Sequence, residues 1–289
     1  MKSFGTILVA VILSTLAAFI VVKTQSSVAP VAVAKKETLF EKLQRTKTLK
    51  CAYITWSKSY FAKDPNTGKF KGIGYELAEA AAKVLEIKID WAEEVGMGNM
   101  YEGLKTGRYD AICTPVILDA TVAAHGLPVE PAGLTPLYAY GRADDTRFLE
   151  NDPDALVKIN NPSVRLVDVD GTNGVEIHKN RYPQAHLISM PGTMTGSEII
   201  QQVALKKADI TQQNPALVED FMKLNPGVLK RITAKPLMVY PNSPFILPIG
   251  EWDAKSWIDQ AVISMKNIGT IDTMMQKFDP DHKFFLEAE

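Results

Sequence analysis

The sequence predicts a two-lobed α/β fold, each lobe a central, mostly parallel sheet flanked by helices. The first observation behind this is the order of segments over residues 68–114: a glycine-bracketed turn, a helical run, a short alternating strand, a second short helix and an apolar strand. That order is β-α-β, for which right-handed crossovers are expected. The second is a fainter echo of the string at residues 107–110 near residues 206–209, read as a second, similar lobe. Third, 289 residues at 46% hydrophobic suffice to bury a sizeable core and suit one or two domains.

Taken in chain order, residues 48–53 read as an opening strand and residues 68–74 as a turn rich in glycine. Leu77, Ala81, Val84 and Leu85 recur at helical spacing, which defines one buried helical face. Residues 87–91 alternate as a strand, residues 101–106 form a short helix closed by Gly107, and residues 109–114 are an apolar strand of the kind buried in a parallel sheet. Charged and polar residues over 142–161, among them Asp144, Asp145, Asn151 and Asp152, predict an exposed segment. Strands then follow at 164–169, 185–189 and 209–212, with helices at 171–180 and 197–205. Trp257, Ile258, Ala261, Val262, Met265 and Ile268 line one face of an amphipathic helix.

Charge and motif content exclude several classes of function. Thirty-two basic against thirty-three acidic residues, with no basic block, leave nothing to attract nucleic acid. His125, His178, His186 and His282 are scattered, and no nucleophile elbow, zinc-binding helix motif or phosphate-cradling loop is present, so neither cofactor nor metal is expected. Lys2 precedes an apolar run at residues 4–22, long enough to enter a bilayer. It fits either a secretory signal cleaved after the small-x-small triplet Ala32, Val33, Ala34, or an uncleaved anchor. In both cases the remainder faces the outside of the inner membrane, with residues 24–36 as linker or cleavage region.

The opening strand, the two segments over 68–77 and 104–113, the run Leu134 to Tyr138, the string Val167 to Gly174 and the string Leu205 to Ile210 together resemble the family 3 extracellular solute-binding proteins, receptors of polar amino-acid ABC importers. The resemblance covers residues 38–280 and implies the type II periplasmic binding protein clamshell. It implies lobe 1 at residues 38–138 and 237–289, lobe 2 at 142–234, and a signal or anchor with linker at 1–34. The partners it implies are a small-molecule solute and the membrane permease of an ABC transporter, in the periplasm, for a monomeric receptor that is not an enzyme. Cys51 and Cys113 would sit on neighbouring lobe 1 strands, where a disulfide and a pair of buried thiols are both open.

Small ligands occupy clefts between lobes, against aromatic walls with a few placed polar groups. The family places aromatics after the first strand, which selects Tyr53 and Trp56 as a stacking wall. Thr114 ends its strand where open sheets present ligand contacts. Thr172 and Asn173 open a helix whose N-terminus would favour a carboxylate or other anion. Asn214 stands where relatives that bind α-amino acids carry an acidic residue for the ammonium group. The arginine that grips the ligand carboxylate in those relatives is also missing from the segment Val116 to His125. Both departures predict a ligand other than a standard zwitterionic α-amino acid: a neutral polar, aromatic or simple anionic solute. The alternatives are an anchored ligand-sensing or interaction module, or an enzyme evolved on this fold with Glu176 or Asp119 as acid or base.

Overall fold

The computed structural model describes residues 37–281 and residue 286. The apolar run at 4–22 and the linker at 24–36 lie outside the described residues. No helix among the described residues is long and apolar enough to cross a membrane.

Thr38 starts the folded unit as the N-cap of α1 (Leu39–Thr46): its hydroxyl accepts from the Glu41 N–H while the Glu41 carboxylate accepts from the Thr38 N–H. This reciprocal cap satisfies two backbone donors that the first helical turn leaves open. β1 (Thr48–Tyr53) follows, then the small hairpin β2 (Ala62–Lys63) and β3 (Phe70–Lys71), α2 (Ile73–Val84) and β4 (Lys88–Glu94). α3 (Met100–Thr106) ends on Gly107 in the left-handed conformation, φ 72°, which a residue with a Cβ adopts at a cost. The chain continues through β5 (Ala111–Ile112), β6 (Val116–Ile117), α4 (Ala120–His125) and β7 (Leu127–Pro128) into the long β8 (Gly133–Arg142). Beyond it come α5 (Ala155–Ile159), β9 (Arg165–Val169), α6 (Asn173–Arg181), β10 (His186–Met190), α7 (Gly196–Ala204), β11 (Ile210–Gln213), α8 (Pro215–Leu224) and β12 (Leu229–Arg231). β13 (Met238–Ser243), β14 (Ile246–Leu247), α9 (Trp252–Asn267) and α10 (Thr270–Phe278) complete it.

Two sheets organise these elements. The first runs β4-β1-β5-β14-β7, parallel through β4, β1 and β5 and antiparallel where β14 and β7 join. The second runs β10-β9-β11-β8-β13-β6, parallel through β10, β9 and β11 and antiparallel thereafter. Antiparallel β8 and β13 carry the chain out of the first lobe and back, so they form the two-stranded connection between the bodies. Each sheet buries both faces: on the first, Leu49, Leu77 and Ile258 pack on one side and Ile112, Leu104 and Val122 on the other. On the second, Leu166, Ile159 and Tyr182 pack on one side and Val167, Ile199 and Leu217 on the other.

Several expectations change. Val84 is 46% exposed, because the buried stripe of α2 runs through Leu77, Ala78, Ala81 and Ala82 and the helix stops at its margin. Ile268 is likewise exposed, as it lies just past the end of α9. The segment 142–161 is largely exposed, Asp144 and Asn151 included, but it is anchored: Phe148, Ala155 and Ile159 are core residues, and Asp145 and Asp152 are buried with cationic partners. Arg147 bridges Asp145 and Asp209, at 2.7 and 2.9 Å, so a segment rich in charge is held down by ion pairs to a strand more than sixty residues away in sequence. Cys51 and Cys113, the two alternatives left open, are joined as a disulfide from β1 to the end of β5, with Cα atoms 5.6 Å apart.

Candidate functional site

The strands of both sheets end at a common cleft. About 970 Å³ of unfilled space lies there, part of it open to solvent. The first lobe contributes Ile54 and Trp56 after β1, Tyr60, Met97, and Thr114 after β5; the second contributes Asp168 on β9, Thr172 before α6, Gly196 at the start of α7, and Gln212 and Gln213 on β11. Positions at the carboxyl ends of strands are where an open α/β sheet leaves side chains free to meet a ligand. Most of the wall is aliphatic or aromatic, which matches a small-molecule site oriented by a few polar groups.

The lobes touch across the mouth of this cleft. The Gly98 N–H donates to the Gly192 carbonyl at 3.0 Å, and the Lys58 N–H donates to Asp220 Oδ2 at 2.8 Å. Asp220, on α8, is therefore a contact between lobes. Gly98 and Gly192 approach so closely that a Cβ on either would stand 2.9–3.0 Å from the other's backbone. Trp56 packs against core residues of both lobes, its ring beside Gly196.

Of the residues expected at the site, Trp56, Thr114, Thr172 and Asn214 line the cleft. Tyr53 does not. Alternation along β1 sends Ile54 to the cleft side and Tyr53 to the opposite face, where its ring stacks on Phe61 and meets Phe70 and Trp91 edge-on. Its hydroxyl accepts from Lys63 Nζ at 2.9 Å. Asn173 is the first residue of α6, and its side chain lies outside the described residues. Glu176 is exposed and bonded to Asn180, and Asp119 caps α4 through the Val122 N–H; neither lines the cleft.

Most of the lining hydroxyls and amides are already engaged. Thr114 Oγ1 accepts from the Ile54 N–H at 2.8 Å, tying β5 to β1. Asn214 caps α8 through the Ala216 N–H and donates to the Pro136 carbonyl. Thr172 donates to the Val169 carbonyl at 2.7 Å. Gln212 differs: it is 6% exposed, and neither its Nε2 nor its Oε1 has a protein partner. A buried amide left in this state costs roughly 1–3 kcal/mol.

The bacterial extracellular solute-binding proteins, family 3, match residues 49–280 of this chain. The chain belongs to that family. Its fold recurs in solved structures at low identity. An ancestral amino acid-binding protein, described as a precursor of cyclohexadienyl dehydratase, superposes with a TM-score of 0.68 at 19% identity, over 83% of this chain and 99% of that one. The binding component of an ABC transporter from Wolinella succinogenes, complexed with lysine, gives 0.67 at 20% identity, over 80% and 95% of the two chains. A histidine kinase sensor domain similar to periplasmic binding proteins gives 0.69 at 17% identity, over 85% and 100%. No curated protein sequence matches.

The charge of this family 3 cleft is one-sided. No Lys, Arg or His among the described residues lines it, whereas Asp168 does. Asp168 Oδ1 accepts from the Val169 N–H at 2.7 Å and, at 3.2 Å, shares the Thr172 hydroxyl proton that goes chiefly to the Val169 carbonyl. Oδ2 lies over the first turn of α6: a Cβ on Gly174 would fall 1.6 Å from it, so only glycine leaves room for the carboxylate. Burial pushes the Asp168 carboxyl up to about 6, the two hydrogen bonds opposing this only in part. The Asp168 carboxylate therefore stands beside the helix terminus expected to receive an anion from the ligand.

Proposed function

We propose that the protein is the extracytoplasmic receptor of an ABC-type importer, which captures a small solute by closing its lobes and delivers it to a membrane permease. The observation that carries this reading is the cleft itself: apolar walls from both lobes enclose Gln212, whose buried amide has no protein partner. Trp56 forms one wall, and Thr114, Thr172 and Asn214 shape the cleft while holding the strand and helix ends that line it. A zwitterionic α-amino acid fits poorly, because no cationic side chain among the described residues lines the cleft to meet its carboxylate. The receptor acts as a monomer in the periplasm, without catalysis, and residues 38–138 with 237–289 move against residues 142–234. A thermal-shift screen against amino acids, amides, organic acids, amines, aromatic solutes and sugars tests this, since ligand at about 100 times its dissociation constant adds roughly 2.7 kcal/mol. A shift confined to one chemical class and abolished by Trp56→Ala is expected; no response to any class refutes the receptor.

A second reading, an anchored sensor whose closure signals to a membrane partner, draws on the likeness to a kinase sensor domain and on the apolar run at residues 4–22. Retention of that run in the mature protein, read by mass spectrometry, favours it over the freely diffusing receptor.

A further inference from the structure

We propose that the solute is an amine without a carboxylate: a protonated nitrogen on an apolar body, held between Asp168 and Gln212. This rests on the receptor reading and names its ligand class. Three observations carry it.

The first is the carboxylate without a counter-charge. Asp168 lines an apolar cleft in which no cationic side chain among the described residues faces it, and its protein partners are one backbone N–H and one hydroxyl. Such a group is stabilised by an incoming cation and further desolvated by a neutral or anionic one. The raised pKa of the carboxyl agrees with this, because burial is its cause and no neighbouring charge contributes. Tyr60, the other titratable side chain of the lining, is tied to Asn242 and the Pro115 carbonyl.

The second is the pairing of Asp168 with Gln212. β9 and β11 are parallel, with Ile210 opposite Leu166 and Thr211 opposite Val167. One step further along this register brings Gln212 level with Asp168, and both line the cleft. Gln212 Oε1 has no donor, so an ammonium group with its three N–H bonds can meet that oxygen and the carboxylate together. The free Gln212 Nε2 then remains for an acceptor on the ligand body.

The third disfavours a ligand carboxylate at α6. The sequence marked the first turn of this helix for an anion, and Asp168 Oδ2 stands beside it at Gly174, so a second carboxylate there would meet the first. Trp56, Leu137 and Ile199 supply the apolar surface for the body of the amine.

The test pairs amines with amino acids that differ only by the α-carboxylate: phenethylamine with phenylalanine, tryptamine with tryptophan, agmatine with arginine, cadaverine with lysine. Binding to the purified protein is measured by calorimetry near neutral pH. At least one amine is expected to bind at least tenfold more tightly than its carboxylated partner, and Asp168→Asn to weaken it at least tenfold. Gln212→Leu, which keeps the volume and removes the amide, should weaken it as well. Undiminished thermal stability of Asp168→Asn separates lost binding from lost folding. Amino acids that bind as well as their amines, an Asp168→Asn protein of unchanged affinity, or no response to any amine would each overturn the inference. A neutral or anionic solute that binds and depends on Trp56 would overturn it while leaving the receptor reading intact.

Discussion

Replacing Asp168 by asparagine should change how the stability of this protein depends on pH. The unfolded carboxyl ionises near 3.8, and the folded one near 6. Below the unfolded value both states hold the proton and the buried group carries no charge. As pH rises through the folded value, the native state must ionise a carboxylate in an apolar cleft, and the stability present at low pH is lost. A displacement of roughly two pH units, at about 1.4 kcal/mol each, sets the loss at about 3 kcal/mol. The substituted amide would keep an acceptor oxygen for the Val169 N–H and the Thr172 hydroxyl, so its burial does not vary with pH. The ion-paired carboxylates act in the opposite sense and in a lower window. Arg147 holds Asp145 below its usual range, so that contribution is lost only as pH falls through its depressed value.

The measurement is urea unfolding of the native protein and Asp168→Asn at about pH 4 and about pH 7.5. The unfolded carboxyl is already partly ionised at about pH 4, so the variant should gain about 2.4 kcal/mol on the native protein between the two, near 5 °C in melting temperature for a chain of this size. Parallel pH profiles for the two proteins would refute the assignment, because a carboxylate that titrates normally is not buried in the cleft.

Three further outcomes are expected. The Cys51–Cys113 bond links residues 62 apart in sequence, so a Cys51→Ala, Cys113→Ala protein should lose about 4 kcal/mol by urea midpoint; a loss below about 1 kcal/mol would show that the strands fix each other without it. Gly98→Val would place side-chain atoms against the Gly192 backbone, and Asp220→Ala removes the acceptor of the Lys58 N–H. Either should raise the radius of gyration in small-angle scattering, and an unchanged radius would mean that these contacts do not hold the lobes together. Gly174→Ala should expel the Asp168 carboxylate, whose Oδ2 stands 1.6 Å from the new Cβ, and flatten the pH dependence described above. A profile like that of the native protein would place the carboxylate elsewhere.

Local chemistry made the framework legible. β1 was readable at both ends, Gly107 closes α3 in the conformation its type favours, and the spacing of Leu77 and Ala81 marks the buried face of α2. What escaped depends on residues distant in sequence. The charges of the segment 142–161 look solvated until Arg147 is seen to reach Asp209, and Asp220 looks solvated until Lys58 is placed across the cleft from it. Tyr53 escaped for another reason: from Cys51 to Tyr53 β1 is buried on both faces, so alternation there offers no polar side from which to tell which residues meet the cleft. Asp168 had a visible signal, an acidic residue inside an otherwise apolar strand, but the neighbouring Asp170 shares it and bonds instead to Ser189. Gln212 had no signal of its own, since a missing partner is a property of the packed structure.

The placement of Asp168 also bears on when the cleft closes. Asp168 and Gln212 belong to one lobe, while Ile54, Trp56 and Thr114 bring the other lobe over them. The lobes meet in this structure through the Gly98–Gly192 and Lys58–Asp220 contacts, so the closed, empty cleft holds a carboxylate without a counter-charge near neutral pH. A protonated amine would bring the missing charge and relieve that cost, so its binding would stabilise the closed form most where the carboxylate is ionised. Recognition and stabilisation of the closed cleft would then reside in a single side chain.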